Sequence, residues 1–204
     1  SLETLAEAVD FCRRHDILLC FDAPYCDVCF DGYTAPSILQ IPGAKEVAIE
    51  FNSLSKSHNM AGWRVGMAVG NPIAIEALAR AKTNIDSGIF LAIQEAAIAA
   101  LTGDQSWLKE RNAVYQERRD LIVQTLNEVG MHANSPQAGL YVWPRIPTGY
   151  TSTDIAERLL EEAHVSVTPG TAFGSHGEGY LRFSIGAPTS QVREAMDRIR
   201  QIKL

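Results

Sequence analysis

No apolar run in the 204 residues approaches the roughly 18 to 20 residues that a membrane-spanning helix needs. Residues Ser1 to Cys12 show no basic start followed by an apolar stretch, so no export leader is legible either. Positive charge is scarce. Against 24 Asp+Glu there are 18 Lys+Arg, giving a net charge of -6 and a pI of about 5.4, which leaves no basic footprint for nucleic acid or a polybasic membrane anchor. Cysteine is absent beyond Cys29. Cys12, Cys20, Cys26 and Cys29 all crowd the start of the chain, whereas a disulfide framework would spread them along a smaller, loop-rich one. Reduced thiols are expected. The C-D-V-C pair at 26–29 has the spacing of half a zinc site or a redox dithiol, but no second Cys/His pair follows at ligand spacing, so neither metal nor redox chemistry is expected. Internal repeats and low-complexity segments are missing as well. These absences describe a soluble, cytoplasmic protein whose partner is a small molecule or another protein.

What is present is ordinary globular composition, 46% hydrophobic and 21% charged, with room for one large domain or two small ones. Leu2, Leu5, Val9 and Cys12 recur at helical steps and mark a helix with one buried face. ILLCFD at 17–22 is nearly continuous apolar, as for a strand covered on both faces in a parallel sheet. EVAIEF at 46–51 repeats the theme, and VGMAVG at 65–70 predicts a third strand before a helix opened by Asn71-Pro72. This is α/β wiring. From Leu91 the pattern turns helical: LAIQEAAIAAL, then a long stretch from Ser106 to Val129 ended by Gly130. Short strands are predicted at 141–143, 165–168 and 180–185, and helices at 154–163 and 190–202. The expected division is a first part at 1–128, including the long connecting helix, and a small α+β part at 129–204.

SLSKSHNMAGWRVG at 53–66 raises the functional question. A lone lysine is ordinarily a solvated surface charge. Lys56, however, follows an apolar strand by a few residues, and open α/β sheets place their ligand crevice outside the carboxyl ends of strands. Asp22 and Tyr25 stand just past the end of another such strand, so the three side chains can converge on one crevice. Ser53, Ser55, Ser57 and Gly62 allow a ligand close to the backbone, and serine hydroxyls with Arg64 suit a phosphate. Singly, Asp22 reads as a turn or cap residue, Tyr25 as a core aromatic, Arg64 as a surface charge and Arg182 as an ion-pair partner; their joint order outweighs those readings. His58, His132 and His176 have no such company and read as surface or loop residues, and P-G-T-A-F-G at 169–174 as a glycine turn.

D-x-x-Y at 22–25, S-L-S-K at 53–56, Arg64 and R-F-S-I-G at 182–186 resemble the class I/II pyridoxal-phosphate aminotransferases of fold type I. The resemblance covers essentially the whole chain, and T-N-I-D-S-G-I-F at 83–90 is most similar to the LL-diaminopimelate aminotransferase group. It implies an α/β fold: the C-terminal part of a fold type I large domain, a mostly parallel sheet with helices, plus a small α+β C-terminal domain. It implies pyridoxal 5'-phosphate as cofactor, an amino acid and a 2-oxo acid as substrates, and a homodimer, with the loop at 83–88 reaching toward the neighbour. Lys56 would tether the cofactor and carry the substrate's α-proton. Asp22 would accept from the ring N–H, Tyr25 would donate to the ring's phenolic oxygen, and Ser53, Ser55 and Arg64 would hold the phosphate. Arg182 would clamp the substrate carboxylate through a planar fork that lysine cannot supply.

Against the resembling family the chain is about half length. Absent are the family's glycine-containing phosphate turn, the aromatic that stacks on the cofactor, the asparagine that shares the ring oxygen with Tyr25, and the N-terminal strands of the sheet. A Ser-Leu-Glu start without Met is read as a fragment, and the 204 residues alone are expected to bind cofactor poorly. Three other functions stay open: another pyridoxal-phosphate reaction such as carbon-sulfur lysis, a cofactor-binding regulatory module, and a non-catalytic interaction domain.

Overall fold

The computed structural model describes residues 1–202 and divides into two compact units, Ser1–Leu108 and Lys109–Leu204. The first unit opens with helix α1 (Leu2–Arg14), whose N-cap is Ser1: its side chain accepts from the Thr4 N–H at 3.3 Å. Of the predicted stripe, Val9 and Cys12 are buried and Leu5 is partly so, whereas Leu2 is 50% exposed. Strand β1 (Leu19–Asp22) then pairs in parallel with β2 (Ala48–Ser53), which a four-residue helix α2 (Ala44–Val47) precedes. Strand β3 (Gly66–Gly70) pairs antiparallel with β2, so the sheet order is β1-β2-β3. Gly70 sits at φ +145°, and a Cβ there would lie 2.2 Å from the Ala48 carbonyl oxygen. Only glycine lets β3 finish so close to β2. Asn71 caps helix α4 (Pro72–Thr83), with its side chain accepting from the Ala74 N–H at 2.9 Å and proline at the first helical position, as the Asn-Pro pair predicts.

Two hydrophobic clusters hold this unit. Val9, Ile38, Ala44 and Ala48 bury the α1 face against the sheet, with Leu5, Leu19 and Phe21 packed beside them. Leu54, Met60 and Ala97 form the other, which joins α3 (Leu54–Ser57), directly after β2, to α5 (Leu91–Thr102). Burial of both faces, expected for ILLCFD, is not seen: Cys20 is exposed, and Ile17 and Leu18 are 44% and 48% exposed. Burial alternates along β1, so only one of its faces is covered.

In the second unit the long helix α6 (Trp107–Glu128) buries Ile122, Val123 and Leu126. The boundary expected after 128 gave this helix to the first part, whereas its contacts group it with the second from Lys109 onward. Gly130, at φ +89°, follows its end. Strands β4 (Tyr141–Val142), β5 (Thr168–Pro169) and β6 (Leu181–Ser184) make an antiparallel sheet in the order β4-β6-β5, with helices α7 (Ser152–Ala163) and α8 (Thr189–Ile199). Ile155, Leu159, Leu181, Ile185, Met196 and Ile199 are the inner residues of this unit.

Two predicted strands start late for the same physical reason. Ile17 donates to the Cys12 carbonyl at 2.9 Å after Asp16 turns left-handed (φ 52°), and Val165 donates to the Leu159 carbonyl at 2.9 Å after His164 does the same (φ 57°). Each apolar run spends its first residues closing the preceding helix, which satisfies carbonyls the helix would otherwise leave open. No helix of the described residues is long and apolar enough to cross a membrane.

Candidate active site

The pairing register carries Asp22, the last residue of β1, to the carboxyl end of the sheet beside Phe51, one residue short of Asn52 and Ser53. Because β3 runs antiparallel and begins opposite Ser53, Arg64 and Val65 enter at that same end. Three segments of sequence thus meet at one end of the three strands: Asp22–Tyr25, Ser53–Lys56 and Arg64. This is the end at which open α/β sheets present ligand sites.

The lysine turn is built on Leu54. Its side chain is 1% exposed, and its carbonyl accepts from the His58 N–H at 3.0 Å and the Met60 N–H at 3.1 Å. Buried leucine therefore anchors the single turn that carries half-buried Lys56. Lys56 Nζ stands 5.7 Å from the centroid of the Tyr25 ring, the separation of a cation and an aromatic face. The Ser53 hydroxyl caps the turn by accepting from the Ser55 N–H at 3.2 Å, which leaves its own proton for an anion. Exposed Arg64 lies in the left-handed region at φ 53° and donates from Nη1 to the Ala61 carbonyl at 2.9 Å. An arginine held in a conformation that suits glycine costs on the order of 1 kcal/mol, a cost that favours a functional reason for its side chain.

Arg182 belongs to the second unit. Its guanidinium carbon lies 4.3 Å from the Tyr141 ring centroid and 4.4 Å from that of Phe173, and no acidic side chain among the described residues pairs with it. Two rings hold the plane of the fork, and its N–H edge is the part suited to a carboxylate.

Several groups that sequence reasoning passed over complete the arrangement. Glu50, only 5% exposed, accepts from the Ser37 hydroxyl, from the Ile38 N–H at 3.0 Å and from Asn52 Nδ2 at 2.9 Å. The signal was a glutamate inside the apolar strand EVAIEF, where a charge survives burial only with a full set of partners. The Cys26 thiol donates to Asn52 Oδ1 at 3.0 Å and the Cys29 thiol to the Cys26 carbonyl at 3.1 Å. Burial, helped by the charges of Asp27 and Glu50, pushes the Cys26 thiol up to about 11, and burial raises Cys29 as well. All four cysteines are free thiols, and the described residues contain no cluster of three or more metal-type ligands. His58 is tied to Ser57 and Gln105 and stacks edge-on to Trp107.

A cavity of about 620 Å³ also touches the region, with Asn52, Arg64, Met67, Leu78, Lys82 and Asp86 among its walls. Asp22, Tyr25 and Lys56 do not line it. Of the candidate groups at the strand ends, only Arg64 lines it.

Comparison with known proteins gives these groups a context. A family model described as aminotransferase class I and II matches residues 1–199. LL-diaminopimelate aminotransferase of Moorella thermoacetica is 52% identical over 201 residues, 98% of this chain and 52% of that protein, and that of Desulforudis audaxviator is 50% identical over 200 residues. Among solved structures, apo-BacF of Bacillus subtilis superposes with a TM-score of 0.93 at 36% identity, covering 100% of this chain and 55% of that one. The aromatic aminotransferase of Pyrococcus horikoshii gives 0.90 at 35%, covering 98% and 54%. The chain spans about half the length of the curated relatives it matches. With a match over nearly all of its residues, the chain belongs to the class I and II aminotransferases, a family that uses pyridoxal phosphate.

Proposed function

We propose that this chain carries the lysine-bearing half of an active site that transfers an amino group from an amino acid to a 2-oxo acid. The observation that carries the reading is the meeting of Lys56, Tyr25, Asp22 and Arg64 at the carboxyl end of one sheet. Their chemistry matches pyridoxal phosphate group by group. An amine answers the aldehyde, a carboxylate the ring nitrogen, a phenol the ring oxygen, and a guanidinium with serine hydroxyls the phosphate. When bound, the cofactor supplies the electron sink that makes a substrate Cα–H bond acidic.

The chain's own residues do the rest. Lys56 Nζ takes the proton from the substrate α-carbon, the role of a positioned base. The Asp22 carboxylate accepts from the protonated ring nitrogen and keeps its positive charge in place. Tyr25 donates its hydroxyl proton to the ring oxygen. Arg64, Ser53 and Ser55 anchor the phosphate, and Arg182 grips the substrate carboxylate. The names of the relatives, at 47–52% identity, support LL-diaminopimelate as the amino donor and a 2-oxo acid as acceptor; the solved structures that share the fold carry other substrate names, so fold alone does not choose. Exposed Ile85, Phe90 and Leu91, at 83%, 72% and 64%, support the loop at 83–88 as the place where a second copy packs in a homodimer, which light scattering on the full-length protein measures.

The test is borohydride reduction of the full-length protein with cofactor, followed by peptide mapping. The phosphopyridoxyl label is expected on Lys56, and LL-diaminopimelate should convert the bound cofactor to pyridoxamine phosphate. Label on another lysine, or on none, refutes the reading. Label on Lys56 without amino transfer would favour carbon-sulfur lysis or a regulatory role.

A further inference from the structure

We propose that Cys26 and Asn52 are positioning residues: the Cys26 thiol, donating to Asn52, holds the turn that carries Tyr25 at its working distance from the turn that carries Lys56. The inference rests on the reading above. It takes up the C-D-V-C pair that neither metal nor redox chemistry absorbs.

The direction of each hydrogen bond in the relay is forced from its buried end. An ionised glutamate can only accept. Glu50 Oε2 receives the Ser37 hydroxyl and the Ile38 N–H, and Oε1 receives Asn52 Nδ2. With its NH₂ committed to Glu50, Asn52 must show its carbonyl oxygen to Cys26, which must donate. A thiolate there would face that oxygen and the Glu50 charge behind it. Burial first, then the charges of Asp27 and Glu50, keep the thiol protonated well above its ordinary range.

The relay joins two otherwise separate pieces of the site. Cys26 follows Tyr25 directly, and Asn52 directly precedes Ser53, the cap of the lysine turn. On the Tyr25 side, the backbone is already folded on itself: Cys26 N–H donates to the Ala23 carbonyl at 3.3 Å and Val28 N–H to the Tyr25 carbonyl at 2.9 Å. The Cys29 thiol closes the same turn through the Cys26 carbonyl. The turn is thus a compact unit. Beside the ladder bond from Ala23 N–H to the Phe51 carbonyl, the Cys26–Asn52 contact is a side-chain tie between it and β2. Loss of that tie frees the turn to rock about Ala23 and changes the 5.7 Å spacing of Lys56 and Tyr25.

The experiment compares Cys26→Ala, Cys26→Ser, Asn52→Ala and the Cys26→Ala/Asn52→Ala pair in the full-length protein, with two readouts. Without cofactor, amide exchange at Val28 reports the turn. With cofactor, the pH titration of its absorbance reports the Lys56–Tyr25 spacing. Cys26→Ala should speed exchange at Val28 by about tenfold and displace the absorbance titration. Cys26→Ser, which keeps a donor, should restore both. Asn52→Ala also removes the bond to Glu50 and should exceed Cys26→Ala, but the pair should be no worse than Asn52→Ala alone, since the bond between the two side chains is already gone. Equal behaviour of the alanine and serine variants, or additive effects in the pair, overturns the proposal. Should Cys26→Ala fail to fold, the serine and Asn52→Ala variants still decide it: serine must match the parent and Asn52→Ala must not. Borohydride labelling in the same samples separates the two readings. Label at Lys56 with an unmoved Val28 amide refutes the positioning role alone; absence of label refutes the catalytic reading and leaves the exchange result to stand by itself.

Discussion

Truncating Leu54 to alanine should unfasten the catalytic turn before it unfolds anything else. Leu54 is 1% exposed, one residue ahead of Ser55 and two ahead of Lys56. Its side chain belongs to a small cluster with Met60 and Ala97, bordered by Val65, Ala96 and Ala100. Alanine removes the branch beyond Cβ, about 2.4 kcal/mol of transfer free energy at roughly 0.8 kcal/mol per methylene-sized group. The cavity adds to this, but the bordering side chains are only partly buried and can relax into it, so the total should be about 3 kcal/mol, below the upper end of the Leu→Ala range. The loss is concentrated where the Leu54 carbonyl receives the His58 and Met60 amides, so native-state exchange of those two amides is the direct assay. A loss of that size corresponds to exchange about a hundredfold faster at both. Leu54→Met, which conserves volume, should cost less than about 1.5 kcal/mol and leave most of the protection in place. Unchanged exchange at His58 and Met60 in the alanine variant would show that the turn is held by something other than its leucine, and the account of how the core positions Lys56 would fail.

Arg64→Gly should leave stability within about 1 kcal/mol of the parent, because relief at φ 53° offsets the lost bond to the Ala61 carbonyl; in the full-length protein the same change should weaken cofactor binding at least about tenfold, the scale of one charge-assisted phosphate contact. Equilibrium binding and urea unfolding on one sample read both halves, and a large stability loss would contradict the strain argument. Arg182→Lys keeps the charge but gives up the planar fork beside Tyr141 and Phe173, so the KM for amino acid should rise about tenfold while labelling at Lys56 is unaffected. Thr125 is wholly buried and its hydroxyl has no hydrogen-bond partner among the described residues; Thr125→Val should therefore stabilise the protein by about 1 kcal/mol in thermal or urea unfolding, and a loss of stability would mean the hydroxyl is satisfied after all.

The order of elements was legible because helix and strand periods and their punctuation are local. Asn71-Pro72 opens a helix where it stands in the sequence, and the apolar runs before Asp22 and before Ser53 did become strands. The ends of those runs were less legible, since Ile17 and Val165 are apolar residues whose backbones close helices; side-chain pattern cannot show where a backbone N–H is spent. The compact units part at Lys109 and the expected parts at 129, because a long helix carries no local mark of where it packs. A 22-residue helix looks alike whichever unit it packs on, and only its buried row of Ile122, Val123 and Leu126 decides.

At the site the difference is one of distance. Residues that share a short motif, such as Ser53, Ser55, Lys56 and Arg64, could be seen together because one strand end and one turn present them all. The Cys26–Asn52–Glu50–Ser37 relay spans three separate stretches, and no local pattern links them. Each member alone has an ordinary explanation: a stray thiol, a turn amide, a strand glutamate, a capping serine. What binds them is the rule that a buried carboxylate must fill its lone pairs. That rule acts only after β2 has placed Glu50 inside the fold. The motif therefore names the groups proposed to touch a cofactor, while the groups that hold those groups still are set by burial.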